Sequence, residues 1–195
     1  MLVGNGGNLR ETHPSSFPYP AIGMNTIHLL EGWQPNYYVT VDSRVHREFG
    51  EAIARRFASI PKFIPSGKLD AWQGENFVRF HQKVDDFIDL DQLEEGIYFS
   101  NVMHAAMQIA YYMGFATLLI IGMEHDPRNQ RAKFWGTDAG IRNEAPLAQW
   151  FKVYRLLVEE MYLRGVRVLN ISPNTYVPDD VIPRGDWRDY ESQTT

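Results

Sequence analysis

Apolar residues along this chain follow two rhythms. Short runs read as strands: Met1-Leu2-Val3, Ala21-Ile22-Gly23-Met24, Tyr37-Tyr38-Val39-Thr40-Val41, Phe77-Val78-Arg79-Phe80, Leu118-Leu119-Ile120-Ile121-Gly122 and Val166-Arg167-Val168-Leu169. A further strand is expected at 60–64, interrupted by Pro61. The run at 118–122 is apolar without alternation, as in a central parallel strand buried on both faces. Longer stretches have a helical period. Residues 43–57 place Phe49, Ile53, Ala54 and Phe57 on one face, and residues 147–163 form a long amphipathic stretch broken by Gly165. The strongest helix starts at Ser100, read as its N-cap, repeats Met103, Met107, Ala110 and Tyr111, and ends at Gly114.

Strands alternating with helices argue for a single α/β domain, a mostly parallel, Rossmann-like sheet with helices on both faces. The domain is expected over 1–177, followed by a peripheral tail at 178–195. Residues 65–96 are the least regular, and the polar, charged stretch 127–144 reads as a loop or lid. The first strand has almost no lead-in, so the chain is either compact there or lacks a segment upstream.

The strands repeatedly end in polar residues: Asn5, Asn25, Asp42, Glu124 and Asn170. Ligands of open α/β sheets bind outside those carboxyl ends. The first end is also glycine-rich, Gly4-Asn5-Gly6-Gly7-Asn8-Leu9, a turn in which backbone N–H groups can approach an anion. It is neither a G-x-G-x-x-G fingerprint nor a Walker A loop, and a tight turn after a strand is the plainer alternative.

Composition narrows the function without naming it. A net charge of −5 and scattered basic residues give no footprint for nucleic acid. With no cysteine, disulfides, thiolate metal sites and a cysteine nucleophile are excluded, and a cytoplasmic setting is expected. No apolar stretch is long enough to span a bilayer, and the first residues do not form a signal peptide. Self-association is left open.

The order of these motifs resembles a related group of nucleotide-using enzymes. One branch is the bacterial sialyltransferases of the Campylobacter type; the other is the DUF115 group, which includes archaeal 6-hydroxymethylpterin pyrophosphokinases. The matching segments are 3–9, Gly23-Met24-Asn25, 37–42, Phe99-Ser100-Asn101 with its helix, Met113-Gly114-Phe115, Ile120-Ile121-Gly122-Met123-Glu124 and Asn170-Ile171-Ser172-Pro173-Asn174.

The resemblance implies a nucleotide-dependent transferase. In one branch the donor is a CMP-sugar and the acceptor a hydroxyl; in the other the donor is ATP with magnesium. A sugar-nucleotide-binding domain without catalysis is a further alternative. The resemblance puts Gly4, Asn5, Gly6 and Asn8 on the phosphate side of the nucleotide, with Asn25 and Asp42 facing it from neighbouring strands. Ser100 and Asn101 would meet the base, ribose or a carboxylate, and Ser172 and Asn174 would lie near the leaving group. Two departures stand out. Gly7-Asn8 replaces the family's Pro-Ser pair, and Lys133-Phe134-Trp135 occupies the place where the sialyltransferase branch carries its catalytic histidine.

The nearest histidine, His125, is the candidate general base, with Glu124 beside it. The alternative is a surface loop histidine. Each other candidate also has a structural reading. Asp42, Asn25, Ser100 and Asn101 are all good helix caps. Arg128, Arg131 and Lys133 either clamp phosphates from the lid or are simply loop charges. His104 is expected to be packed within its helix. Trp135 and Tyr154 form either an aromatic wall or core packing. No metal site is assigned, and consecutive Glu124, His125 and Asp126 are poorly placed to converge on one ion. A structural or partner-binding protein using Trp33, Tyr37, Tyr38, Tyr111 and Tyr112 is the third functional class.

Overall fold

Seven strands pair in parallel throughout. In chain order they are β1 (Leu2–Val3), β2 (Ile22–Met24), β3 (Tyr37–Val39), β4 (Lys62–Pro65), β5 (Phe77–Phe80), β8 (Thr117–Ile121) and β11 (Arg167–Asn170). Across the sheet they run β11-β8-β1-β2-β3-β4-β5. The first strand is therefore central, with Leu2 opposite both Ile22 and Ile120. The computed structural model describes residues 1–67, 72, 75–83, 88–126, 132–137 and 147–192. Short pairs complete the strands: β6 (Gln82–Lys83) with β7 (Ile97–Tyr98), and β9 (Ala132–Lys133) with β10 (Gly136–Thr137).

Both faces of the sheet are covered, which explains why its strands carry apolar residues at successive positions. Leu2, Ile22, Val39, Ile120 and Val168 point to one core with α2 (Val102–Tyr112) and α3 (Leu147–Leu163). Val3, Tyr38, Ile64, Ile121 and Leu169 point to the other, against α1 (Ser43–Arg56). This is the expected Rossmann-like α/β domain.

Helix ends follow local chemistry. Asp42 caps α1, its Oδ1 accepting from the Arg44 N–H at 2.8 Å. Gly114, at φ +81°, ends α2, donating to the Tyr111 carbonyl while the Phe115 N–H reaches the Ala110 carbonyl, the glycine-dependent double closure of a helix. Gly165 ends α3 in the same way.

Three expectations are corrected. The cap of α2 is Asn101, not Ser100: Asn101 Oδ1 accepts from the His104 N–H at 3.1 Å. Both residue types cap well, and the backbone turns helical one residue later than the pattern suggested. The segment from Pro178 is not peripheral. Val181 and Ile182 are buried, and Asn170 of the edge strand exchanges backbone bonds with Pro183 and Gly185. The described part of the expected lid, 132–137, is a short antiparallel hairpin.

A lysine supports the sheet from inside. Lys62, 1% exposed, donates its Nζ to the carbonyls of Phe57 at 2.8 Å and Ile60 at 2.9 Å, just beyond the end of α1. Lys62→Met matches the stem but removes both bonds, leaving the Phe57 carbonyl with the Ile60 N–H at 3.3 Å alone and taking the ammonium from the Ile60 carbonyl. It is expected to cost about 2 kcal/mol, measured as a lower urea midpoint at unchanged slope.

Candidate functional site

The order of strands leads directly to the site. The chain runs from β1 to one side of the sheet through β2 to β5, then returns to β8 on the other side of β1. Beyond the carboxyl ends of β1 and β8 lies the point where connections part in opposite directions, and a crevice opens there. A cavity of about 630 Å³ occupies it. That is ample for a nucleotide-sized molecule.

Glycines allow β1 and β8 to approach at the floor. A Cβ on Gly4 would sit 2.4 Å from the Gly122 carbonyl oxygen, and one on Gly122, at φ +70°, 2.8 Å from that of Gly4. The Gly4 N–H donates to Ile121 and the Gly6 N–H to Gly122. The Asn8 N–H donates to the Glu124 carboxylate. These three N–H groups are thus spent within the protein. Those three are not offered to an anion, and Gly4 and Gly6 serve close strand packing.

Gly4, Asn5, Gly6, Asn25, Asp42, Ser100, Asn101, Glu124 and His125 all line the cavity. Asn8, Ser172 and Asn174 do not. Asn8 is buried, its Nδ2 turned away to the Pro173 carbonyl at 2.8 Å. Ser172 is buried and its Oγ accepts from the Met123 N–H at 3.1 Å. Asn174 occupies an exposed turn at φ +55°. Asn8 and Ser172 brace the end of β8. Arg128 and Arg131 lie outside the described residues.

Two lining residues are held in the left-handed region, Asn25 at φ +47° and His125 at φ +50°. Such backbone is costly for residues with a side chain and persists only where surroundings impose it. Asn25 is not a cap. Its backbone carbonyl accepts from the Tyr38 hydroxyl at 2.7 Å and its Oδ1 from the Thr40 hydroxyl at 2.8 Å. With its oxygen committed, the amide has its NH2 donor left. Asp42 both caps α1 and lines the cavity, so the two readings of that residue coexist.

The far wall is built around α2 and α3. The residues at 103–110 of α2 are all buried, and Tyr154 of α3 crosses their N-terminal end. A line of polar contacts results. His125 Nε2 lies 3.1 Å from the Tyr154 hydroxyl, which donates to Asn101 Oδ1 at 3.2 Å. Beyond it, His104 is wholly buried, with Nε2 3.3 Å from Asn101 Nδ2 and Nδ1 3.1 Å from Ser100 Oγ. His104 is packed, as expected, with its ring edge-on to Tyr154 at 4.3 Å. Tyr154 is both core and wall. Trp150, 5.2 Å from the His125 ring, was not nominated from sequence and also lines the cavity, as do Gln82 and Phe99.

Burial sets the charges here. It pulls His125 down to about 4, assisted by the Lys133 cation. His104 is lowered to about 3, first by burial, with a bond to the Trp150 backbone opposing and His125 adding to the effect. Glu124 is raised by burial, against the Asn8 N–H and Lys133, with Asp126 and Glu11 pushing it further up. Lys133 thus acts on both His125 and Glu124 from the hairpin. Its backbone carbonyl and that of Phe134 accept from the Arg10 guanidinium at 3.3 and 2.9 Å.

Acid lability follows. His28, also buried, is lowered to about 4, chiefly by burial and then by Arg56. All three histidines bind protons more readily once unfolded, where the ordinary value is near 6.5. Between pH 6.5 and about 4 the unfolded chain holds more protons, so stability falls with pH across that window. Melting temperature is expected to drop steeply from pH 6.5 to 4.5, and a calorimetric pH series reads it.

Among the described residues no three His, Asp or Glu side chains form a group able to hold a metal. Among the same described residues no helix is long and apolar enough to cross a membrane. Of the aromatics nominated for an interface, Tyr38 is fully buried and Tyr112 is 60% exposed, so the five do not act as one surface. No family profile, curated protein or solved structure matches the chain.

Proposed function

We propose that the chain is a nucleotide-dependent transferase of the sialyltransferase-like kind, moving a sugar from a CMP-sugar donor to a hydroxyl acceptor. The observation that carries this reading is the content of one cavity. The start of α2, the Gly4–Gly6 turn, Lys133 and a tyrosine-held His125 all face a space of about 630 Å³ at the switch point of the sheet. The order of motifs that resembles the sialyltransferase and DUF115 groups supports it as well.

The roles follow from chemistry. With the His104 N–H taken by the Asn101 cap, the Val102 and Met103 N–H groups at the start of α2 lack helical acceptors and favour an anion, and Lys133 adds a positive charge nearby. Both stabilise the phosphate as the bond from the sugar's anomeric carbon to the phosphate oxygen breaks and CMP leaves. The acceptor oxygen forms the new bond to that carbon, and its proton passes to His125. Because His125 is neutral at physiological pH, it enters the reaction ready to accept. Helix and lysine donors, rather than converging carboxylates, favour a step without a metal.

Thermal melting with CMP, CDP, UDP, GDP and ATP, each with and without magnesium, tests the reading. CMP without metal is expected to raise the melting temperature; at a hundred times Kd the gain is about 2.7 kcal/mol. Stabilisation by ATP only with magnesium would replace this reading with a pyrophosphokinase-like one. Absence of any shift at millimolar ligand would remove nucleotide chemistry from the site.

A further inference from the structure

One cap fixes a proton several residues away. Asn101 Oδ1 accepts from the His104 N–H, the bond that starts α2. Rotating that amide would place its NH2 against the same N–H, donor against donor, so the oxygen cannot be exchanged for the nitrogen. The Tyr154 hydroxyl, 3.2 Å from that oxygen, therefore meets an acceptor and must supply the proton between them. It has only one. The contact on its other side, 3.1 Å to His125 Nε2, is then a bond only if the nitrogen donates and the phenol oxygen accepts. The opposite arrangement, with the hydroxyl donating to His125, would leave two oxygens facing each other in a buried place with no proton between them. Tyr154 is fully buried, and burial raises its phenol, so it keeps its proton.

We infer that Asn101 and Tyr154 are positioning residues that hold His125 as the Nε2–H tautomer, leaving Nδ1 as the nitrogen that takes the proton of a bound hydroxyl. The assignment of that proton acceptance rests on the transferase reading; the tautomer does not. The helix cap thereby does two things, ending the backbone of one element and choosing which face of an imidazole is basic. The ring is held at its far nitrogen while the backbone at φ +50° fixes where it starts.

The test is nitrogen NMR of the full chain at neutral pH, without nucleotide, with the His125 signals assigned by their loss in His125→Asn. The expected pattern is a pyrrole-type Nε2 and a pyridine-type Nδ1. In Tyr154→Phe, with fold checked by its amide spectrum, the two signals are expected to move toward each other as the tautomers mix. Asn101→Asp keeps both the cap and the acceptor and is expected to retain the wild-type pattern. A wild-type Nδ1–H tautomer, a mixed one, or a His125 cation at neutral pH overturns the inference even if Tyr154→Phe fails to fold. So does an unchanged pattern in folded Tyr154→Phe. If CMP-sugar turnover is found, Tyr154→Phe is expected to lower kcat about tenfold with little change in KM. If the tautomer is as inferred but CMP does not bind, the transferase reading falls and the tautomer control stands.

Discussion

Gly4→Ala is expected to destabilise the fold by about 3 kcal/mol or more, at the upper end for overpacking. The added Cβ would lie 2.4 Å from the Gly122 carbonyl oxygen and 3.1 Å from its carbon. Both are backbone atoms, so no rotamer change relieves the clash. Either β1 or the end of β8 must move, and the Gly4 N–H bond to Ile121 at 2.9 Å and the Gly6 N–H bond to Gly122 at 2.8 Å go with it. For a chain of this size the melting temperature should fall by roughly 6–12 °C. Gly32→Ala is the contrasting case. A Cβ there meets nothing within 4 Å, and only the strain of φ +70° remains. Parallel urea melts of the two variants separate the close approach from the backbone conformation. Equal losses would show that the Gly4–Gly122 contact does not govern stability.

The second large effect is on chemistry. His125→Asn removes the base while supplying a residue that tolerates the left-handed backbone. On the transferase reading it is expected to lower kcat by about 10²–10⁴-fold, with stabilisation by CMP retained. The pH profile gives a sharper check. His125 is lowered to about 4 by burial and Lys133, so its neutral, accepting form persists well below the usual histidine range. In wild type, kcat/KM should lose its acid limb near pH 4, not near 6.5, wherever the protein remains folded. A limb near 6.5 would mean that another group is the base.

The seven strands of the parallel sheet, the three long helices and the glycine ends of α2 and α3 were legible because each depends on local pattern: Gly114 and Gly165 stop helices wherever they follow one. The pocket was legible as a row of strand ends, since parallel topology collects them at one edge of the sheet. What stayed hidden depends on direction. Asn8 looks like a ligand in the glycine turn, but its N–H is taken by Glu124 and its amide by Pro173. Tyr154 carried no local signal for meeting His125 and Asn101, since it lies 29 residues from one and 53 from the other. Gln82 reaches the cavity from the part of the chain with the least pattern. Ser100 and Asn101 were separable only by where the backbone becomes helical.

The central position of β1 has a consequence for biosynthesis. Leu2 and Val3 are made well before Ile120 and Ile121, their partners on one side. A nascent chain can pair β1 with β2 early, but the other side stays open until β8 has left the ribosome. Such distant pairing is slow to form. The crevice beside Gly122 comes into being at that same moment, so the emerging polypeptide acquires its cavity late, after the strands from β1 to β5 have been synthesised.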